Sequence, residues 1–384
     1  MNQVLAAFIG SNVLAHAGNT IRGTALIAFV GASPLFGAIS FTSLLPASGN
    51  SRSAATAVSA DGRTIVGTSW NVPNILRPTM WSGQDWTPVN LGNPTGHNRP
   101  RPTDVSDSGN AVIGFTDDPR SPFRWTPETG SQVLPTDSNV AMASAVSPDG
   151  SFTVGLDVSR SRPIRWNGLN NPIDLPLPQG ANVGRATIVS AAGNTLGTVG
   201  GQSGTSFARW TAPNSDPEIL ATFPRGSAIA PFAASTDESI LAGMSSPDIF
   251  TLETNPWRWS QSEGVEYLPV LDGTDSANVI GMSGDGSVIL LSCFDSTDVT
   301  EFFDAVWTPE GLQTVESYLT AFGVNLDGWT EFDCNDISRD GMTFVGSGVD
   351  PQGMVRGWVA TIPAPSAGAV LAAGVAFACR RRRS

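Results

Sequence analysis

The chain holds two histidines, His16 and His97, so catalysis of the Ser–His–Asp kind has to run through one of them. His16 lies in an apolar leader. His97 sits in the polar loop "PTGHNRPRPT", and no Gly-x-Ser-x-Gly elbow accompanies it, so a solvated loop residue is the expectation. Three cysteines, Cys293, Cys334 and Cys379, form no Cys-x-x-Cys pair, and with so few His and Cys a zinc site is excluded. Cys379 belongs to an apolar tail. Cys334 falls at a repeat position that Ala55 and Ala143 occupy elsewhere, which points to a small buried thiol; a Cys293–Cys334 bridge is the alternative.

Carboxylates are what remains. The densest group is "FDSTDVTEFFD", in which Asp298 and Glu301 are close enough in sequence to share a cation such as Ca²⁺ if the segment is a loop; a solvated loop is the plainer reading. Paired carboxylates in a concave site could also hydrolyse a glycan, but sequence alone does not pick the pair. Trp70 and Trp257 stand outside the repeated Trp position described below and are the candidates for stacking on a ligand ring, with core packing as the alternative. No other cofactor is implied.

Composition narrows the partners. The chain has no Lys, and its net charge is −13. Five of the 21 Arg, Arg22 and Arg380 to Arg383, lie in the terminal segments, whereas all 34 acidic residues lie between them. A surface this negative repels nucleic-acid phosphates and anionic headgroups, so no nucleic-acid partner is expected.

One short phrase recurs. "AVSADGRTIVG" from Ala57 returns as "DVSDSGNAVIG" from Asp104, "AVSPDGSFTVG" from Ala145 and "DISRDGMTFVG" from Asp336. The residue closing each turn is Gly62, Gly109, Gly150, Gly193, Glu238, Gly286 and Gly341. Each turn is followed by a Trp: Trp81, Trp125, Trp166, Trp210, Trp259, Trp307 and Trp358. A period of 40 to 50 residues marks an array of supersecondary units. Within a unit an apolar run meets a Gly-containing turn, a β-branched run returns, and two further short strands follow. Four antiparallel strands repeated seven times predict an all-β, seven-bladed β-propeller with the Trp filling the space between blades. The seventh unit lacks a fourth strand, whereas "ISFTSLLPASG", from Ile39, precedes the first turn as an orphan. The N-terminal strand is therefore expected to complete the last blade and close the ring. Near residues 312–323, "TVESYLTAFG" spaces Val315, Tyr318, Leu319 and Phe322 as one helical face, with Thr314 as N-cap and Gly323 as stop.

The units resemble the HAF-type extracellular repeat, in Ala-x-x-Val-Ser-x-Asp-Gly, then Ile/Val-Val-Gly, then Arg-x-Trp. The fourth and fifth copies depart from it, with Ala192 in place of the turn Asp and "STDESILAG" lacking the Gly. The resemblance implies an extracellular propeller and no defined activity. At the C-terminus, "IPAPSAGAVLAAGVAFACRRRRS" joins an uncharged stretch, Ala364–Cys379, to four Arg. It is similar to the PEP-CTERM sorting signal, with Pro363-Ala364-Pro365 where Pro-Glu-Pro is usual. That resemblance implies an exosortase-like processing enzyme as a partner. At the other end, Arg22 followed by the apolar stretch Gly23–Ala38 reads as a signal peptide.

The expected organisation is a leader over 1–38, a propeller over 39–363 and an apolar sorting or anchor segment over 364–384, the only part expected to enter a membrane. The expected function is an exported binding or structural module at the cell envelope surface or outside the cell, with a glycan or protein as partner and no evident catalytic activity. The alternative is a secreted glycan-active hydrolase. An enzyme would bring two acidic groups with perturbed pKa into one concavity. A binding ring would line its channel with backbone and small residues.

Overall fold

The Ser-x-Asp-Gly phrase is a turn because its own side chains bind its own backbone. In the first copy Ser59 Oγ donates to Asp61 Oδ1 at 2.7 Å, while the amides of Arg63 and Thr64 donate to Asp61 Oδ1 and Ser59 Oγ at 3.0 Å each. Ser147–Asp149, Ser235–Asp237, Ser283–Asp285 and Ser338–Asp340 repeat this pattern. Each turn joins an inner strand to a second strand. In the computed structural model, which describes residues 39–71, 75–137, 140–202, 204–223, 228–246 and 252–363, the result is seven four-stranded antiparallel sheets. The leader (1–38) and the apolar tail (364–384) assigned from sequence lie outside these residues.

Six sheets use four consecutive strands. The seventh consists of Thr330–Ile337, Thr343–Val349, Val355–Thr361 and, on its outer edge, Ser40–Leu44. The register pairs Ser40 with Thr361, Phe41 with Ala360 and Leu44 with Gly357. The fold is therefore the β-propeller expected from the repeat, and the chain's first strand completes its last blade.

All seven inner strands carry one irregularity at the same place. Register slips between Ala55 and Ala57, and at the equivalent point of Asn98–Val105, Ala141–Val146, Ala181–Val189, Ala228–Ala234, Ser276–Met282 and Thr330–Ile337. A bulge of this kind bends the strand and pushes its backbone toward its partner. This explains the Gly of the Ile/Val-Val-Gly phrase: a Cβ on Gly67 would overlap the carbonyl oxygen of Ala54.

The core lies in the seams. Leu44, Val345 and Val359 of blade 7 pack with Ala55, Ile65 and Trp81 of blade 1. Six of the seven repeated Trp (81, 166, 210, 259, 307 and 358) are buried, whereas Trp125 is half-buried. Three of them tie one blade to the preceding one: the indole N–H groups of Trp81, Trp166 and Trp210 donate to the carbonyls of Leu45, Pro135 and Pro176 at 2.6 to 2.8 Å. At blade 7, Trp358 stacks on Phe332 at 4.3 Å, and Phe41 lies 5.7 Å from Trp358 and edge-on to Trp329 at 5.2 Å. Such pairs each add about 0.5–1.5 kcal/mol beyond burial. The helix is Val315–Ala321, capped by Thr314, whose side chain accepts from Ser317 N; it buries Val315, Tyr318 and Leu319 beside Phe344. Cys293 and Cys334 are both buried and free, so the bridge does not form.

The two irregular turns compensate for each other. In blade 4, Ala192 leaves the turn without its carboxylate. In blade 5, Glu238 replaces the turn Gly and adopts φ 61°, a left-handed conformation that costs a non-Gly residue on the order of 1 kcal/mol. Its side chain reaches back: Glu238 Oε1 accepts from Ser190 Oγ at 2.5 Å and Asn194 Nδ2 at 2.7 Å, and Oε2 accepts from Arg209 Nη1 at 3.1 Å. In blade 1, by contrast, a Cβ on Gly62 would strike Thr343 Oγ1 of blade 7, so a glutamate has no room there.

Two outcomes follow. Phe41→Ala should cost about 3 kcal/mol in urea unfolding, because it removes the aromatic anchor of the closing strand; a loss below about 1 kcal/mol would show that this strand does not hold the ring. Glu238→Gly restores the consensus turn but removes the acceptor of buried Ser190 and of half-buried Asn194 and Arg209, so it should destabilise by about 1–3 kcal/mol; a gain in stability would mean that backbone strain outweighs those bonds.

Candidate functional site

The inner strands surround a channel that encloses a cavity of about 320 Å³. Its wall is built mainly from the bulge residues and those that follow them, among them Thr56, Thr103, Ser144 and Thr187, with Asn335 on blade 7. Several of these side chains also join blades. Thr56 Oγ1, Thr187 Oγ1 and Asn335 Nδ2 donate to the carbonyls of Pro102, Pro231 and Ala55 at 2.8 to 2.9 Å, each in the next blade.

Asp104 and Asp336 face this cavity. Sequence reasoning did not single them out, though a signal was available. The position before each Val/Ile/Ala/Met-Ser is Ala57, Ala145, Ile188, Ala233 or Gly281 in five blades and Asp only in these two. Each carboxylate accepts two backbone N–H groups. Asp104 takes Val105 N and, across to blade 3, Val146 N, both at 2.8 Å. Asp336 takes Ile337 N at 2.8 Å and, across to blade 1, Val58 N at 2.9 Å. Asp304 makes a third bridge, accepting from Cys334 N at 2.6 Å between blades 6 and 7. Burial pushes these acids above the ordinary 3.8, Asp104 and Asp304 to about 6 and Asp336 to about 7. The groups acting on Asp104 include Asp107, which raises it further, and Arg339, which lowers it; Asp104 also raises Asp336.

The two ends of the channel differ. At the end carrying the Ser-x-Asp-Gly turns, the turns meet. Thr236 N donates to Gly284 O at 2.7 Å, Gly284 N to Arg339 O at 2.6 Å, and Asp107 N to Pro148 O at 3.1 Å. Arg339 Nη1 then bridges to Asp107 Oδ2 at 2.6 Å, from blade 7 to blade 2 past blade 1. We call this the turn face and the opposite end the mouth.

The sequence candidates do not converge on the channel. Asp298 and Glu301 lie at the start of the strand Asp298–Thr308, where the pairing with the preceding strand shifts register, rather than in an open loop. The Asp298 carboxylate is occupied by the amide and hydroxyl of Thr300. Among the described residues no group of three or more His, Cys, Asp or Glu could hold a metal ion. Trp257 is 1% exposed and stacks on Phe207 at 4.8 Å, so the expectation of a ligand-facing ring there does not hold. Trp70 is half-buried at the mouth end of its strand. His97 is half-buried, with Nδ1 3.0 Å from Thr95 O and Nε2 3.2 Å from Ser121 Oγ.

No family model matches the chain, and no curated protein does. Solved structures do resemble it. An oligogalacturonate lyase in complex with manganese aligns over 85% of this chain and 96% of its own, at 12% identity and TM-score 0.50. A prolyl endopeptidase structure aligns over 83% of this chain and 51% of its own, at 11% identity and TM-score 0.50. At such identities the likeness shows the propeller fold alone.

The raised carboxyls fix a pH profile. A group that binds its proton more tightly when folded contributes stability that is lost as pH rises from about 4 through 6 to 7. The turn acids act oppositely: hydrogen bonds lower Asp149 and, to about 2, Asp237, and their contribution is lost as pH falls below the ordinary 3.8. The melting temperature should therefore peak between about pH 4 and 6 and fall toward pH 8. Asp336→Ala should flatten the alkaline side, whereas an unchanged slope would remove Asp336 from this role.

Proposed function

We propose that this chain is an exported propeller of the cell surface, acting as a binding or structural module whose channel receives its ligand at the mouth. The observation that carries this reading is how the channel carboxylates are used. Both oxygens of Asp104 and of Asp336 accept backbone N–H groups, one of each pair from a neighbouring blade, so each acid is fixed in place by a bond that holds two blades together. The rest of the wall mixes hydroxyl-bearing side chains such as Thr56, Thr103, Ser144 and Thr187 with apolar ones such as Ile188, Phe232 and Ile280, a combination suited to a polar ligand with apolar faces such as a glycan. Support for export comes from the two apolar terminal stretches, Gly23–Ala38 and Ala364–Cys379, and from the acid-rich, Lys-free sequence between them.

A glycan-active hydrolase is the second reading, favoured by one observation: two carboxyls pushed above the usual range face the same cavity.

One experiment separates the two. The full chain is applied to a glycan array, and any bound glycan is then incubated with it at pH 6 and assayed for cleavage. Saturable binding without turnover supports the module. Multiple turnovers that disappear in Asp336→Ala would establish the hydrolase instead.

A further inference from the structure

The channel wall has two chemically different sides, and one repeat position sets much of the difference. The extra residue of each bulge lines the cavity. It bears a hydroxyl in blades 1 to 4, is Phe232 in blade 5 and Ile280 in blade 6, and is Asn335 in blade 7. The next residue along is Asp104 in blade 2 and Asp336 in blade 7, so the two acids flank blade 1. Phe232 is three blades away from blade 1, as far across a ring of seven as a blade can be. Phe232 and Ile280 are half-buried, and both belong to the cavity wall.

The acidic side lacks a matching cation. Among the described residues the charged groups of the wall are Asp104, Asp107, Asp336 and Arg339. Arg339 is the one positive charge, and it is engaged by Asp107 at 2.6 Å. The amides that hold Asp104 and Asp336 are neutral donors, so they position each carboxylate without cancelling its charge. Each oxygen, after its one amide bond, keeps a lone pair for a further donor. The upward shift of both acids expresses the same deficit, since burial without a counter-charge disfavours the ionised form.

We propose that the channel takes the end of a glycan that carries a free amine, its ammonium on the side of Asp104 and Asp336 and the apolar C–H face of its ring against Phe232 and Ile280. This rests on the glycan-binding reading given above and adds the class of glycan. A neutral sugar leaves the charge imbalance of the wall as it is, and an acidic sugar worsens it. An ammonium brings a positive charge and three N–H donors to a side rich in acceptors. The cavity, about 320 Å³, is at the small end of ligand sites, which run from about 300 to 1,000 Å³. It therefore suits a terminal sugar rather than a long internal stretch of chain.

The test titrates the full chain by calorimetry at neutral pH with three trimers of one linkage: cellotriose and its counterparts made of glucosamine and of N-acetylglucosamine. They differ in one substituent, a hydroxyl, an ammonium or an uncharged amide. The glucosamine trimer should bind one-to-one and about tenfold more tightly than cellotriose, the margin of one charged hydrogen bond. The N-acetyl trimer, without the charge, should bind no more tightly than cellotriose. An acidic protein attracts amines anywhere on its surface, so the site has to be located as well. Thr103→Arg puts a guanidinium into the cavity beside Asp104 and should abolish binding with the melting temperature unchanged. Ser144→Arg, from blade 3, is a second placement should the first variant not fold. Equal or tighter binding of cellotriose or the N-acetyl trimer overturns the amine and leaves the glycan module standing. Binding of the glucosamine trimer that survives both folded variants is surface attraction and overturns the channel site. Failure of all three trimers to bind also overturns the inference, while the glycan reading itself is decided by the array.

Discussion

Closure of the ring is the constraint on which everything else depends. A single four-stranded blade leaves both faces uncovered, and each seam here is buried only because a neighbour lies on either side. The seam between blades 7 and 1 has to be made between residues about 280 to 300 positions apart in sequence. Asp336 and Asn335 reach to Val58 and Ala55 at the channel, Leu44 packs on Ala55 and Trp81 in the middle, and Phe41 is held among Trp329, Phe332 and Trp358 at the edge. The aromatic enrichment of blade 7 coincides with the one blade that must recruit a strand from the far end of the polypeptide.

Placing the core in the seams also shapes the channel. Inner strands that bulge toward their partners turn small hydroxyl-bearing residues toward the axis and toward the next blade. Several wall residues are therefore structural ties first and ligand contacts second. The buried acids follow the same logic: ionised, they are expensive so far from bulk water, and backbone amides from two blades offset that cost.

Much of this architecture was legible in the sequence, because turns and aromatic fillers are local signals that recur. The turn glycines, the repeated Trp, the orphan segment at Ile39 and the helix cap at Thr314 all write their roles into a few neighbouring residues. What the sequence concealed depends on geometry through space. Asp298 and Glu301 read as a loop in sequence but sit where a long hairpin begins, and only the reach of that hairpin decides which applies. Trp257 is off the repeat, yet it fills a seam, since a blade can place an aromatic at either of two positions. The bridging role of Asp104 and Asp336 is set by an amide in another blade; the repeat marks their position as unusual but not that contact.

The partnership of Glu238 with the blade 4 turn has a consequence for how such a ring can change. Repeat proteins gain and lose units by duplication and exchange, which requires each unit to fit any neighbour. Blades 4 and 5 no longer meet that condition: one has surrendered a carboxylate that the other now provides. Moved singly, either would bring a defect to its new place, so these two blades are expected to travel together as one double-width unit.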